Sequence, residues 1–310
     1  MMAENIIREN GRRRRTKVTA HEIHTAYLYL IPAFVGLTVL TYGPLVAVVF
    51  LSFFNTGELV LRLSFVGFQN YFRLFMEDPY FKDSIRVTAY YSVIAVAGCM
   101  VYSLAVAMLL NRKIPARGFF RAVFYLPYVL PAVALYIGWA WLYDTNYGFF
   151  NYLLTLIGVE KIGFIVDSKM VVPSFALIAV WHSGNLIVIY LAGLQNVPAV
   201  YHEAAEIDGA NVLQRFRHIT IPCMTPIIFY NLLMALISNL QIVTPAMVLT
   251  SGGPGNSSRF LTYIMYQYGF MSSRFGYASA VSFVFFILVA IFTGILFGTS
   301  MKWVFYEGDR

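Results

Sequence analysis

The chain has 310 residues, of which 59% are hydrophobic and only 12% charged, and its 22 Lys and Arg outnumber 15 Asp and Glu. Soluble domains carry about a quarter charged residues. One water-soluble core has no room for so much apolar surface, so the composition excludes an ordinary soluble enzyme or binding module and makes the bilayer the solvent for much of the chain.

Charges are absent from long stretches. No Asp, Glu, Lys or Arg lies between Glu22 and Glu58, Arg86 and Arg112, Arg121 and Asp144, Lys169 and Glu203, Arg217 and Arg259, or Arg274 and Lys302. Each interval holds the roughly 20 apolar residues that a spanning helix needs. An all-α protein with about six spans is predicted, near 26–54, 86–110, 120–143, 171–194, 223–249 and 276–301. Arg12 to Arg15 and Lys17 precede the first apolar run as in a signal peptide. That run, Ala26 to Phe54, far exceeds an h-region of roughly 7–15 residues and reads as an uncleaved span. Pro173, Pro222 and Pro226 fall where helices start, while Pro44, Pro127, Pro131 and Pro245 are interior and predict kinks. Trp139, Trp141, Tyr143, Trp303 and Tyr306 fit an interfacial aromatic belt. Cys99 and Cys223 lie in or beside apolar segments and read as small buried hydrophobes.

The positive-inside rule sets the expected orientation. With the N-terminus in the cytoplasm, 14 of the 22 Lys and Arg face inward, including Arg112, Lys113, Arg117, Arg121, Arg215 and Arg217. The expected plan is a cytoplasmic tail at 1–25, a six-span domain at 26–301 and a cytoplasmic tail at 302–310. Outside segments then fall at 55–85, 144–170 and 250–275. The first is rich in aromatics and the third opens with the turn-forming Ser251-Gly252-Gly253-Pro254-Gly255. Either could dock an external partner or simply pack on the bundle.

The inside loop at 195–222 does not read as a linker. Tyr201-His202-Glu203-Ala204-Ala205-Glu206 favours helix after Pro198, and Gly209 suits the left-handed residue that ends one. A second amphipathic stretch runs from Val212 to Ile219. The pattern predicts a helix–turn–helix across the inner face.

Glu203-Ala204-Ala205, Gly209 three residues on, Ile219 after nine more, and then Pro222 resemble the EAA signature of ABC importer permeases, with Ile221 where the usual residue is Leu. The likeness extends along the chain. Gly67-Phe68-Gln69-Asn70-Tyr71, Arg117-Gly118-Phe119-Phe120-Arg121 with Leu126-Pro127, Thr250-Ser251-Gly252-Gly253-Pro254 and Phe275-Gly276-Tyr277-Ala278-Ser279-Ala280 resemble the maltose-permease-like branch, on the first-subunit side of the pair. The resemblance implies a type I ABC importer permease fold in a prokaryotic plasma membrane. It implies ATPase coupling through Glu203, Ala204, Ala205 and Gly209. It also implies a second permease subunit, two cytoplasmic ATPase subunits and an extracytoplasmic sugar-binding protein. The chain lacks a G-x-x-x-x-G-K-[ST] phosphate loop. ATP and Mg are thus expected on the partner ATPase, with no cofactor or metal on this chain.

By offset from those motifs, the resemblance places Trp181, His182, Asn185 and Asn239 at sugar-lining positions. Amides offer donors and acceptors to hydroxyls, and an aromatic face suits a sugar ring. Ser183, Asn231, Ser238 and Gln241 add polarity to spans four and five. Any of these side chains could instead tie helices together. A proton relay through His182 would need carboxylates in the spans, where there are none. The other readings are an ABC importer permease for a polyol, sugar phosphate or peptide, and a stand-alone secondary transporter. The latter would favour inverted repeats and intramembrane ion ligands, and neither is visible. No nucleophile–base or metal constellation points to an enzyme.

Overall fold

The computed structural model describes residues 20–56 and 63–305. The basic N-terminal tail, Tyr306 and the last residues of the C-terminal tail lie outside the described residues. The chain forms two units, one up to Phe50 and one from Leu51 onward. In the first, helix α1 (Ala20–Leu37) passes through a π-helical turn at Thr38–Tyr42 into α2 (Gly43–Leu51). Tyr27–Leu51 is long and apolar enough to cross a bilayer, and none of its most apolar window is buried.

The second unit opens with a small antiparallel hairpin, β1 (Phe54–Thr56) and β2 (Leu63–Phe65), which the sequence pattern did not announce. A short helix α3 (Gln69–Phe72) follows, and Asn70 Nδ2 fastens it by donating to Ser52 O at 2.9 Å and Phe54 O at 3.0 Å. Helix α4 (Pro79–Asn111) is the central post. It starts earlier than the charge-free interval because Asp78 caps it, accepting from Tyr80 N at 2.8 Å, and Pro79 suits the first turn. The same carboxylate accepts from Tyr268 Oη at 2.8 Å and Tyr277 Oη at 2.7 Å, tying the entry of α4 to the start of the last span and the segment before it. Burial, and then the hydrogen bond to Asp78, hold the Tyr268 hydroxyl above its ordinary pKa. The buried stripe of α4 includes Ser84, Ser92, Ala95, Cys99, Ser103 and Ala107. Such small residues let neighbouring backbones approach where lipid removes the hydrophobic drive between helices.

Two spans are broken pairs. Helices α5 (Arg117–Val129) and α6 (Ala132–Leu142) meet at 100°, since Pro131 offers no N–H and drives Leu130 extended. A short α7 (Phe149–Leu156) follows. Helices α8 (Val171–Trp181) and α9 (Gly184–Asn196) meet at 46° across His182-Ser183. Gly184 is required there, because a Cβ would lie 2.6 Å from Phe124 O of α5.

Beyond α9 come α10 (Ala199–Ile207), α11 (Val212–Arg215) and α12 (Ile221–Leu240). The last two run on through a π-helical turn at Phe216–Thr220 as one apolar helix over Val212–Leu240. This corrects the fifth span, expected at 223–249. The helix begins earlier and stops at Leu240, leaving Pro226 inside it and Pro245 beyond it. Ile242 and Ala246 are apolar because they pack in a protein core with Tyr91, Phe175 and Phe260, not because they cross lipid. Helix α13 (Leu261–Tyr266) and α14 (Phe275–Ser300) complete the fold. Among the described residues four helices are long and apolar enough to span, or up to six spans if each bent pair counts as one.

Gly276, at the start of α14, donates its N–H to Thr56 Oγ1 at 3.1 Å, and a Cβ there would lie 1.9 Å from Phe54 O. Gly276→Ala is therefore expected to destabilise by about 1–3 kcal/mol through overpacking. Gly138→Ala, with nothing within 4 Å of the added Cβ, is the control. Equal melting temperatures for the two purified variants would show that this junction is not tight.

Candidate translocation site and coupling loop

A cavity of about 340 Å³ lies among α4, α5, α6, α9 and the end of α12. None of the described residues that line it is Asp, Glu, Lys or Arg. The break between α8 and α9 contributes His182, Ser183 and Asn185, and the end of α12 contributes Ser238, Asn239 and Gln241. Tyr91 and Cys99 enter from α4, and Tyr128 and Tyr136 from either side of the Pro131 bend. The His182 ring lies against Tyr128, with centroids 5.5 Å apart.

The structure thus brings His182, Asn185 and Asn239 together. They do not play equivalent parts. Asn239 Oδ1 accepts from Tyr91 Oη at 3.0 Å and its Nδ2 donates to Ala235 O at 2.8 Å. It ties α12 to α4 as well as lining the cavity. Ser183 Oγ is likewise committed, to Val180 O at 2.7 Å. The side chains of Asn185, Ser238 and Gln241 line the cavity and hold no hydrogen bond to other described residues. Asn231 is fully buried away from this space and donates to Leu186 O at 3.2 Å, a helix–helix tie.

Trp181 is not part of the cavity. It packs edge-on against Trp139, centroids 5.4 Å apart, and lines a separate apolar recess with Leu130 and Trp141. The helix break one residue later turns His182 and Asn185 one way and leaves Trp181 facing the other. The aromatic walls are instead Tyr91, Tyr128 and Tyr136. The available signal was their hydroxyls, because a tyrosine deep in a span needs a polar partner.

At the far end of α9 the chain enters the loop. Helix α10 carries Glu203, Ala204 and Ala205, and Gly209 follows at φ +78°, the left-handed conformation that glycine adopts without strain. Gly209 N and Ala210 N return to Glu206 O and Ala205 O, closing the helix end. Asn211 opens α11 with a reciprocal capping box to Gln214, and Arg215 pairs with Glu206 at 2.8 Å across the turn. No residue from 199 to 220 is buried. Glu203 is exposed, and so are Tyr201, Ile207, Val212 and Leu213.

A bundle of broken apolar helices around an uncharged cavity, with a folded but unburied helical loop at one end, defines a membrane translocation subunit. The chain belongs to the family of binding-protein-dependent transport system inner membrane components, whose family model matches residues 84–305. It is 35% identical to the probable ABC transporter permease protein YesP of Bacillus subtilis, over 92% of this chain and 93% of that one. It is 32% identical to the multiple sugar-binding transport system permease protein MsmF of Streptococcus mutans, over 89% and 95%. It shares its fold with a chain of a bacterial alginate ABC transporter, solved in complex with an alginate pentasaccharide-bound periplasmic protein. That match has a TM-score of 0.78 and 19% identity, over 90% of this chain and 94% of that one.

Removing the hydroxyl of Tyr91 would leave Asn239 Oδ1 buried without its donor. Tyr91→Phe is expected to destabilise by about 1–3 kcal/mol, whereas Asn185→Ala leaves stability nearly unchanged. Thermal melts of the two variants check this, and a Tyr91→Phe melt equal to wild type would remove the tie from the account.

Proposed function

We propose that the chain is the transmembrane permease subunit of an ATP-driven importer of neutral carbohydrate, forming half of the translocation path. The observation that carries this reading is the uncharged cavity, in which Asn185, Ser238 and Gln241 present uncommitted polar groups beside Tyr128 and Tyr136. Amides and hydroxyls match sugar hydroxyls, and tyrosine rings match the apolar face of a pyranose. An anionic cargo would call for basic groups, and the lining has none. The sugar-binding system named for the Streptococcus mutans relative supports the same cargo class.

On this reading His182, Asn185, Ser238 and Gln241 touch the sugar. Asn239 shapes the wall through Tyr91, and Trp181 stays outside the contact set. The N- and C-termini are cytoplasmic. Glu203, Ala204, Ala205 and Gly209 form the surface that engages a separate ATPase, which binds ATP and Mg. The working assembly contains a second permease subunit, two ATPase subunits and an extracytoplasmic binding protein, all in a prokaryotic inner membrane. Exposed Tyr201, Ile207, Val212 and Leu213 supply apolar contact that water alone would disfavour.

Co-purification tests the loop. The wild-type chain is expected to retain the ATPase and a Glu203→Lys, Gly209→Pro variant to lose it while still inserting. Equal retention by both would sink the coupling assignment. Uptake in proteoliposomes with the binding protein tests the cavity. Asn185→Ala with Gln241→Ala is expected to lower neutral-sugar uptake about ten-fold, with the ATPase still attached, while Trp181→Phe has little effect. If the two lesions change places, the contact set is wrong.

A further inference from the structure

We infer that the segment from Phe68 to Glu77 is a membrane-surface anchor, lying at the lipid–water boundary outside the spans with its aromatic side chains seated among the phospholipids. Helix α3 runs on into a π-helical turn at Arg73–Glu77, which stops at Asp78, the cap of α4. Side chains of this segment fall into three environments. Asn70 and Leu74, one turn apart, are buried in the protein. Gln69, Arg73 and Glu77, at the same spacing, form a polar stripe. Phe68, Phe72, Phe75 and Met76 form an apolar ridge, of which Phe68, Phe72 and Met76 are exposed to 74%, 60% and 70%. One face on the protein, one polar and one apolar is the partition of a helix lying in the plane of a membrane interface.

Two spans set its level. Asn70 donates to Ser52 O and Phe54 O, and the hydroxyls of Tyr71 and Ser52 share a hydrogen bond of 2.6 Å. Ser52 directly follows Leu51, where the first apolar span ends. On the other side, Leu74 packs with Tyr277 and Val281 in the first turns of α14, whose apolar run opens straight after Arg274. The segment is therefore fastened where one span leaves the bilayer and another enters it. Lys82 and Arg86, exposed in the opening turns of α4, fit the same level, since long cationic side chains reach to the headgroups.

Continuity with the lipid-facing surface of the first span argues for lipid as the occupant. Phe53 touches both Tyr71 and Phe68, with ring centroids 5.7 and 5.3 Å away, and Phe54 touches Phe65, itself exposed, at 5.4 Å. Apolar surface thus runs without a charged gap from the exit of the span onto the ridge. A water-borne partner that came and went would leave that ridge bare in each absence, at the cost of exposing a large apolar patch. The bilayer is always there.

The test uses the complete transporter, this chain with its partner permease and ATPase, in liposomes of phosphatidylglycerol and phosphatidylethanolamine, with and without the binding protein. The photoreactive p-benzoylphenylalanine is placed in turn at Phe72, Met76 and Gln69, and its adducts are identified by mass spectrometry after illumination. Positions 72 and 76 are expected to give lipid adducts at least roughly five-fold above position 69 in either condition. Position 68 reads the same ridge should a variant at 72 or 76 fail to assemble. Adducts from the ridge to the binding protein or to the second permease overturn the proposal, as the face is then a protein interface. A ridge that forms no adduct overturns it too, by placing the segment in water. Equal lipid labelling at all three positions does the same, because the segment is then immersed and has no polar side. The adducts are read without sugar or ATP, so their outcome is separate from that of the transport reading.

Discussion

Backbone N–H and C=O groups inside a bilayer must find partners within the protein. A continuous helix does this alone, and every break leaves groups that something else has to satisfy. In this chain the breaks are not scattered. Tyr128 and Tyr136 on either side of the Pro131 bend, the break at His182-Ser183 and the end of α12 at Gln241 all line the same cavity. Part of the polar lining is committed to backbone carbonyls beside the breaks. Ser183 Oγ takes Val180 O and Asn239 Nδ2 takes Ala235 O. What remains, on Asn185, Ser238 and Gln241, is left for whatever enters. Irregular backbone at membrane depth is tolerated where it lines a cavity, and here it builds one.

That constraint also explains what the sequence could reveal. Absence of charge marks six apolar segments, because a charge in lipid is costly wherever it falls along a helix. It says nothing of direction, so the 100° and 46° bends were legible only as prolines in the first case and hardly at all in the second. Nor does it separate lipid-facing from protein-facing apolar residues. Ile242 and Ala246 extended the apparent fifth span although they belong to a packed core. Charge misplaced the start of α4 in the opposite sense. Lys82, Asp83 and Arg86 lie within its first turns, and the Asp78-Pro79 cap was the better boundary signal. Trp181 fails as a cavity residue for the same reason: its offset from a motif is fixed, but its direction depends on a bend.

The loop was the most legible part because its structure is local. Helix composition, the glycine at positive φ and the second short helix all appear where the residues place them. Tertiary packing cannot override an element that buries no residue. The Asn211–Gln214 box and the Glu206–Arg215 pair were not foreseen, yet they keep the turn folded without a core beneath it. Exposed pairs of this kind contribute little individually. Several acting on one short turn hold its shape while leaving its outer face bare.

Loop and cavity are joined by two uninterrupted rods. Helix α9 runs from Asn185 at the cavity to Gln195, four residues before Ala199 opens α10, a distance of about 15 Å. The helix over Val212–Leu240 starts within the loop and delivers Ser238 and Asn239 to the opposite wall. Neither rod is broken between its ends, and both are broken beyond the cavity, at His182-Ser183 and after Leu240. On the proposed reading, a push on α10 and α11 reaches the sugar contacts with little loss, because helices resist bending more than junctions do. The same push is absorbed at the breaks and need not reach the far halves of the spans. A cavity made at helix breaks is thus where one end of a span can move against the other, as alternating access demands.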